Sequence, residues 1–526
     1  MLSTKSTKAT KILPNFFVLF VFFVDKFLSL MRMLRPSFST TYYQSMKQAL
    51  YTPRKYCRTF GLTGLAAALL SACAVGPDYR PPVTDITPAF SHAAHAEFSA
   101  QGVEIAWWKL FNDKLLTELV AQTLQHNREL EIADANLREA RALYMESGLN
   151  LAPAITAHAN YTEQKRSTAA LNNRAFVPRE LKLYNTGFDA SWEIDFFGRV
   201  RRNVAASSRE VEVQEAGLRD LGISLIAEVA RNYFELRGLQ NQLAVAKKNI
   251  QNQAQTLEIT RVRLESGRGT ELDTSRASAQ LDSTRAILPT LESAVYRAMH
   301  RLGILTGQFP GALTAKLSLP APMPKSPETL AIGKPAELLR RRPDIRIAER
   351  TLAASTERIG VATADLFPRV SFVGTIALEA NNVAGLGAGG ADSYSVGPRI
   401  TWAALDLGRV YARIKAADAH AEADLARYEQ TVLNALEETE NALVNYNREQ
   451  ARRDLLKSAA QASENADKLA HLRFEEGVAD FLTVLDTELR LLQDQELLAQ
   501  SETATATALV AVFKALGGGW EASQAQ

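Results

Sequence analysis

Residues 409–476 read RVYARIKAADAHAEADLARYEQTVLNALEETENALVNYNREQARRDLLKSAAQASENADKLAHLRFEE, 68 positions with neither Gly nor Pro. Nothing in that run breaks a helix, and as one helix it would reach about 100 Å at about 1.5 Å per residue. Within it Leu425, Tyr428, Val432, Ala435, Thr439, Ala442 and Tyr446 step by three and four. That spacing predicts a coiled-coil seam whose small residues admit close neighbours. The run stops at Gly477 and a second helical stretch returns over 481–516.

Working outward, the segment before the run alternates with period two. Tyr394, Val396, Ile400 and Trp402 follow Val370, Phe372, Gly374, Ile376 and Leu378, with polar or small residues between them. This is the pattern of strands with one apolar and one polar face. A helix is predicted over 335–365, ending before Pro368.

The same order occurs earlier in the chain. A helix over 115–149 precedes Pro153, a strand over 154–164 follows, and Phe188, Ala190, Trp192, Ile194 and Phe196 alternate with Asp189, Ser191, Glu193 and Asp195. A second long helix then runs to Gly267-Arg268-Gly269 and returns to Leu305. Ile132-Ala133 and Pro153 recur 215 residues on, as Ile347-Ala348 and Pro368. Trp192, Gly198-Arg199-Val200, Arg263, Glu265 and Gly267 recur 210 residues on, as Trp402, Gly408-Arg409-Val410, Arg473, Glu475 and Gly477. The expectation is an internal tandem repeat: 113–310 as the first unit, 311–335 as a Pro-rich crossover, 336–516 as the second and 517–526 as a tail.

The chain has 526 residues, 46% hydrophobic and 22% charged, a globular composition. Its most apolar stretches, 16–24 and 60–70, fall short of the about 20 residues a membrane-spanning helix requires. Lys47, Arg54, Lys55 and Arg58 precede the second stretch, and Leu70-Ser71-Ala72-Cys73 ends it. Residues 46–72 thus have the layout of a signal peptide. Residues 1–45 fit no part of that layout and are either a leader or a sign that Met46 is the start. Processing before Cys73 would remove ten of the 60 Lys/Arg and one of the 58 Asp/Glu, leaving a net charge of about −7. This argues against a nucleic-acid partner. Cys57 would leave with the signal, so no disulfide is expected.

Four alternating strands cannot close a membrane barrel, and open sheet edges are not tolerated in lipid. This reading therefore demands oligomerisation: two copies give eight strands with a filled interior, three give twelve with room for a channel. Helices of about 100 Å exceed any bilayer and must project from it. Taken alone, the strands also fit a soluble α+β sheet, and the heptads fit a rod-like adaptor. The seven His are scattered and no His-x-x-x-His or Cys cluster is present. No enzyme site, metal or catalytic residue is expected, and energy for transport must come from a partner.

The chain resembles outer-membrane efflux proteins of the TolC/OprM type, in the lipoprotein branch called NodT-like. The resemblance rests on Trp107-Trp108-Lys109-Leu110-Phe111 with Asp113, Leu115 and Asn127, and on Leu339-Arg340-Arg341-Arg342-Pro343-Asp344-Ile345. It extends through Arg473-Phe474-Glu475-Glu476-Gly477 with Phe481-Leu482 and Leu485-Asp486, to Leu516-Gly517-Gly518-Gly519-Trp520. It implies a homotrimer, a twelve-stranded outer-membrane β-barrel continuous with a coiled-coil periplasmic tunnel, and an equatorial belt that includes 73–112. Leu70-Ser71-Ala72-Cys73 resembles the lipobox, so Cys73 is expected to carry S-diacylglycerol and N-palmitoyl groups, its only cofactor. Ala74 matches the rule that sorts such lipoproteins to the outer membrane. The implied partners are a periplasmic adaptor and an inner-membrane RND-type pump expelling drugs or other toxic compounds. A type I protein-secretion exit duct and a non-pore structural lipoprotein remain open as alternatives.

By the same resemblance Leu482 and Asp486 form the channel gate, an apolar and an acidic ring, with Asp273 at the equivalent place in the first half. Gly267 and Gly477 turn the helical hairpins at the inner end of the tunnel. Family members that carry Arg beside the turn differ from this chain, which has Val478-Ala479. Trp107-Trp108 is read as packing for the N-terminal segment, and Arg340–Arg342 as a solvated helix cap.

Overall fold

The structure, a computed structural model, describes residues 74–83, 87–91, 98–99, 101–167, 169, 178–327 and 329–519. The expected leader, signal segment and Cys73 lie outside the described residues. The element order is α1 (Lys114–His126), α2 (Arg128–Leu149), β1 (Ala154–Lys165), β2 (Glu180–Ile194), α3 (Arg199–Glu265), α4 (Glu271–Arg285) and α5 (Leu288–Leu305). After the crossover come α6 (Pro335–Arg341), α7 (Pro343–Ala364), β3 (Arg369–Ala380), β4 (Asp392–Thr401), α8 (Leu407–Glu475) and α9 (Phe481–Ala515). The four strands form one antiparallel sheet in the order β1-β2-β3-β4. The long helices α3 and α8 have 67 and 69 residues, each about 100 Å at about 1.5 Å per residue. Among the described residues no helix is long and apolar enough to cross a membrane.

Three of the helices predicted as continuous are broken. The first bends at Asn127, which sits in extended backbone (φ −68°, ψ 130°) and whose side chain accepts the Glu129 and Leu130 N–H groups as N-cap of α2. Its counterpart breaks at Arg342 (φ −76°, ψ 120°), because Pro343 at the start of α7 forces the preceding residue out of helical conformation. The first-half return helix stops at Arg285 and restarts at Leu288, since Pro289 cannot donate to the carbonyl four residues back. In α9 the position 210 residues on is Ala499, and that helix runs unbroken.

The coiled-coil seam of α8 also departs from the reading in one place. Tyr428, Val432, Ala435, Thr439, Ala442 and Tyr446 are buried, but Leu425 is exposed and the seam passes through Asp424 and Ala421 instead. Asp424 is only 2% exposed and is held by Ser355 Oγ on α7 and by Arg427.

The largest apolar core lies midway along the long helices, where α1, α3, α5, α8 and α9 meet the crossover. Trp107 stacks on Phe513 with ring centroids 4.9 Å apart, and Phe111 packs on Phe234 at 4.8 Å. Trp107-Trp108 therefore packs the N-terminal segment. Asp113 caps α1 and accepts the Tyr233 hydroxyl at 2.6 Å. Arg237 Nη1 and Gln240 Nε2 reach the crossover carbonyls of Leu319 and Leu317, at 2.8 and 2.7 Å. Arg342, read as a solvated cap, is an interior tie: its guanidinium contacts Asp344, Glu438 and the Ala515 carbonyl.

Candidate functional site

The sheet register brings the apolar positions of all four strands onto one face. Phe188 pairs with Ile376 and Ile376 with Tyr394, while Trp192 pairs with Phe372. Nothing in the chain covers this face: Phe188, Ile376 and Tyr394 are 54%, 52% and 81% exposed. An uncovered aromatic and aliphatic face of this kind requires an apolar surrounding. Trp192 and Trp402 mark its end nearest the long helices, donating from Nε1 to the carbonyls of Leu151 and Leu366, each at 3.0 Å. Such aromatics suit a membrane–water boundary.

The opposite face is polar and internally bonded. His158 lies 2.7 Å from Asp189 through Nδ1 and 2.6 Å from Asn185 through Nε2. Asn185 donates to Glu379 at 2.8 Å, and Thr375 to Asp189 at 2.7 Å. A sheet apolar outside and polar inside is what the wall of a water-filled barrel requires.

At the far end of the helices the chain turns twice in the same way. Gly267 and Gly477 have φ of +72° and +75°, a region that glycine alone enters at little cost. In each turn the next two N–H groups fold back onto one carbonyl: Arg268 and Gly269 onto Arg263, Val478 and Ala479 onto Arg473. The return helices then start on matched caps. Thr270 caps α4 in a reciprocal capping box with Asp273, and Asp480 caps α9 by accepting from the Thr483 N–H and hydroxyl.

Those caps relocate one expected residue. At the 210-residue offset Asp273 corresponds to Thr483, and the two turns use the same Thr/Asp pair with the positions exchanged. The Asp273 carboxylate is engaged by the Thr270 N–H and hydroxyl, at 3.3 and 2.7 Å. Asp486 corresponds instead to Arg276, and Leu482 to Leu272. Leu482 and Leu272 are 53% and 57% exposed, and Asp486 is exposed.

Reasoning from sequence missed three features here. Arg263 caps the end of α8 by donating to the Phe474 and Glu475 carbonyls. Asp467, His471 and Glu488 gather between α8 and α9, and the Gly76–Gly360 approach pins the segment after Cys73. Of these, only the recurrence of Arg263 as Arg473 left a signal in the sequence.

A family profile for outer membrane efflux proteins matches residues 119–308 and 335–518. The chain belongs to this family. OprJ, an outer membrane protein of Pseudomonas aeruginosa, is 31% identical over 88% of this chain and 96% of its own length. Nodulation protein T of Rhizobium leguminosarum is 28% identical over 87% of this chain and 97% of its own. The solved structure of the outer-membrane channel OprN superposes with a TM-score of 0.79 at 43% identity, over 85% of this chain and all of that one. As an outer membrane efflux protein the chain resides in the outer membrane, which supplies the apolar surrounding its sheet requires.

Proposed function

We propose that three copies of this chain form the outer-membrane channel of a tripartite efflux system, conducting small molecules passively from a periplasmic adaptor and an RND-type pump to the exterior. The observation that carries the reading is the four-stranded sheet, apolar on one face and hydrogen-bonded on the other, continuous with helices of 67 and 69 residues. Within this sheet β1 and β4 have one strand partner each, and an edge left open in lipid costs several kcal/mol per group. Three sheets joined edge to edge give twelve strands, with no edge and a polar lumen. The two halves of the chain are copies of one unit, which gives the tunnel wall twelve matching helices.

Leu482 and Asp486 narrow the inner mouth, the first opposing wetting and the second attracting cations in threefold symmetry. Gly267 and Gly477 mark its rim. Cys73 carries the lipid, and the structure around residues 74–79 supports this. The Val75 N–H donates to Phe197 O at 3.1 Å, beside the corner where β2 passes into α3. That leaves Cys73 one residue from the level of Trp192 and Trp402.

The test is conductance of the purified protein in planar bilayers. Wild type should conduct weakly and Leu482→Ala with Asp486→Ala several-fold more. No current from either would sink the channel reading. In cells, deletion of the gene should raise accumulation of an amphiphilic dye, wild type should reverse it, and Cys73→Ser should rescue in part.

A further inference from the structure

Near the inner mouth, one carboxylate ties three helices together. Glu488 on α9, two residues beyond Asp486, accepts the Thr256 hydroxyl of α3 at 2.6 Å and faces His471 Nε2 of α8 at 3.1 Å. Asp467 lies one turn back on α8, with Oδ1 3.7 Å from the same imidazole nitrogen. The surroundings are apolar: Leu257 of α3, Ala277 and Leu281 of α4, Ala470 and Phe474 of α8, and Phe481 and Val484 of α9. Asp467 and Glu488 are each 8% exposed, and Asp467 Oδ1 is buried without a hydrogen-bond partner.

Two buried carboxylates in such a setting repel each other and cost several kcal/mol unless a cation compensates. The charges that reach the cluster are few. On α8 itself are Glu464, which is paired with Lys468, and Glu475 near the helix end. From α3 come the Thr256 hydroxyl and Lys248, whose field acts on Glu464. α4 packs here through Ala277 and Leu281, and α9 adds Thr487 beside Glu488. His471 is the cation in contact with both buried carboxylates.

We propose that Asp467, His471 and Glu488 form a protonation-controlled clasp, which holds α3, α8 and α9 together while His471 carries its proton and loosens them when the proton leaves. The hydrogen bond to Glu488 raises the imidazole above its ordinary range, and burial raises the Asp467 carboxyl. Both shifts have the same sign. Stability they contribute is complete below the ordinary values and is lost as pH rises through the raised ones. The inner mouth is therefore most tightly closed in mild acid and loosest in alkali. Its bearing on conduction rests on the channel reading; the separation of the helices does not.

Hydrogen exchange of the full chain in detergent, corrected for intrinsic rates, tests this between about pH 6 and about pH 9, on either side of the histidine range. Protection of peptides spanning 460–490 should fall by about tenfold for each unit by which the His471 pKa is displaced, with 114–126 as an unchanging reference. His471→Gln should hold the loosened level at both pH values, and Asp467→Asn should restore protection in alkali. Protection that is flat with pH in wild type, or as steep in His471→Gln as in wild type, overturns the clasp. Paired bilayer recordings separate the two readings. Steep protection without current at any pH supports the clasp and counts against the channel, and current with flat protection does the reverse.

Discussion

Asn127 and Arg342 make the same tie in the two halves of the chain: Asn127 Nδ2 donates to the Leu305 carbonyl and Arg342 Nη1 to the Ala515 carbonyl, both at 2.9 Å. The donors lie 215 residues apart and the acceptors 210, the two offsets at which the sequence repeats. Each tie fixes the break between two helices against the end of the returning hairpin. Arg342 also neutralises Asp344 and Glu438, whereas Asn127 instead caps α2. Asn127→Ala should cost about 2 kcal/mol, from a lost cap and an unmet carbonyl. Arg342→Ala should cost more, because it also strips two carboxylates of their partner, and Arg342→Asn should fall between. Denaturant titration of the solubilised protein followed by helix content gives the order, and equal losses for all three would refute it.

A contact across the helical seam offers a sharper test. Gly238 of α3 lies under Thr503 of α9, so that a Cβ at 238 would stand 1.9 Å from the threonine Oγ1. Gly238→Ala should destabilise by about 1–3 kcal/mol through overpacking. Adding Thr503→Ala should recover most of that loss, a coupling that a double-mutant cycle reads directly. Additive losses would mean the two helices do not meet there.

What the sequence made legible was whatever depends on periodicity. Helix length, strand faces and the repeat are all set by side chains at fixed spacing, and Phe188, Ile376 and Tyr394 fall on one face because strand register is a period-two property. The breaks at Asn127 and Arg342 escaped because apolar spacing continues through them, while the signal, an N-cap Asn and a Pro at the first helical position, is a single residue each. Asp273 was misplaced for a related reason. Leu272-Asp273 and Leu485-Asp486 look alike as dipeptides, but only cap geometry shows that Thr270 and Asp273 match Asp480 and Thr483. Contacts between distant segments, such as Arg263 with Phe474, leave no local pattern to read.

That last contact carries a prediction of its own. The Arg263 guanidinium sits 3.8 Å from the Phe474 ring centre and donates to the Phe474 carbonyl, joining the ends of α3 and α8 at the inner mouth. A cation over an aromatic face and a charged donor at a helix C-terminus together contribute about 1–3 kcal/mol. Arg263→Ala should raise resting conductance in bilayers. Arg263→Lys should do so less, since it keeps the charge but loses the planar fork. Unaltered conductance in Arg263→Ala would show that the turns are held apart from this contact.

Arg202 tests the buried charges below the sheet. Its side chain, 9% exposed, joins Glu357 at 2.8 Å and Asp78 at 2.7 Å, tying α3, α7 and the N-terminal segment. Removing one partner of a buried pair leaves an uncompensated charge, so Arg202→Met should cost about 3–5 kcal/mol. Arg202→Met with Glu357→Leu should be far milder, because no charge is then stranded. A double variant as unstable as the single one would show that the arginine stem, not its charge, matters.

The tightest point on that N-terminal segment is Gly76. It has φ of +94°, and a Cβ there would come within 2.5 Å of the Gly360 Cα, backbone against backbone with no side chain able to yield. Gly360 has no slack to give, since its other side is filled by the Arg202 stem. Gly76→Ala therefore combines a strained conformation with a clash and should displace the segment rather than be absorbed, at about 1–3 kcal/mol for the strain alone. The loss should be local. Residues 74–83 should become open to limited proteolysis while the helical hairpins keep their protection, and the Arg202–Asp78 contact should be lost with the segment. If Cys73 anchors a lipid beside the sheet, as proposed, Gly76→Ala should leave the protein membrane-bound but with a cleavable tether. A segment that stays as resistant as wild type would mean that ties beyond Gly76 hold it, Tyr79 to Glu349 foremost.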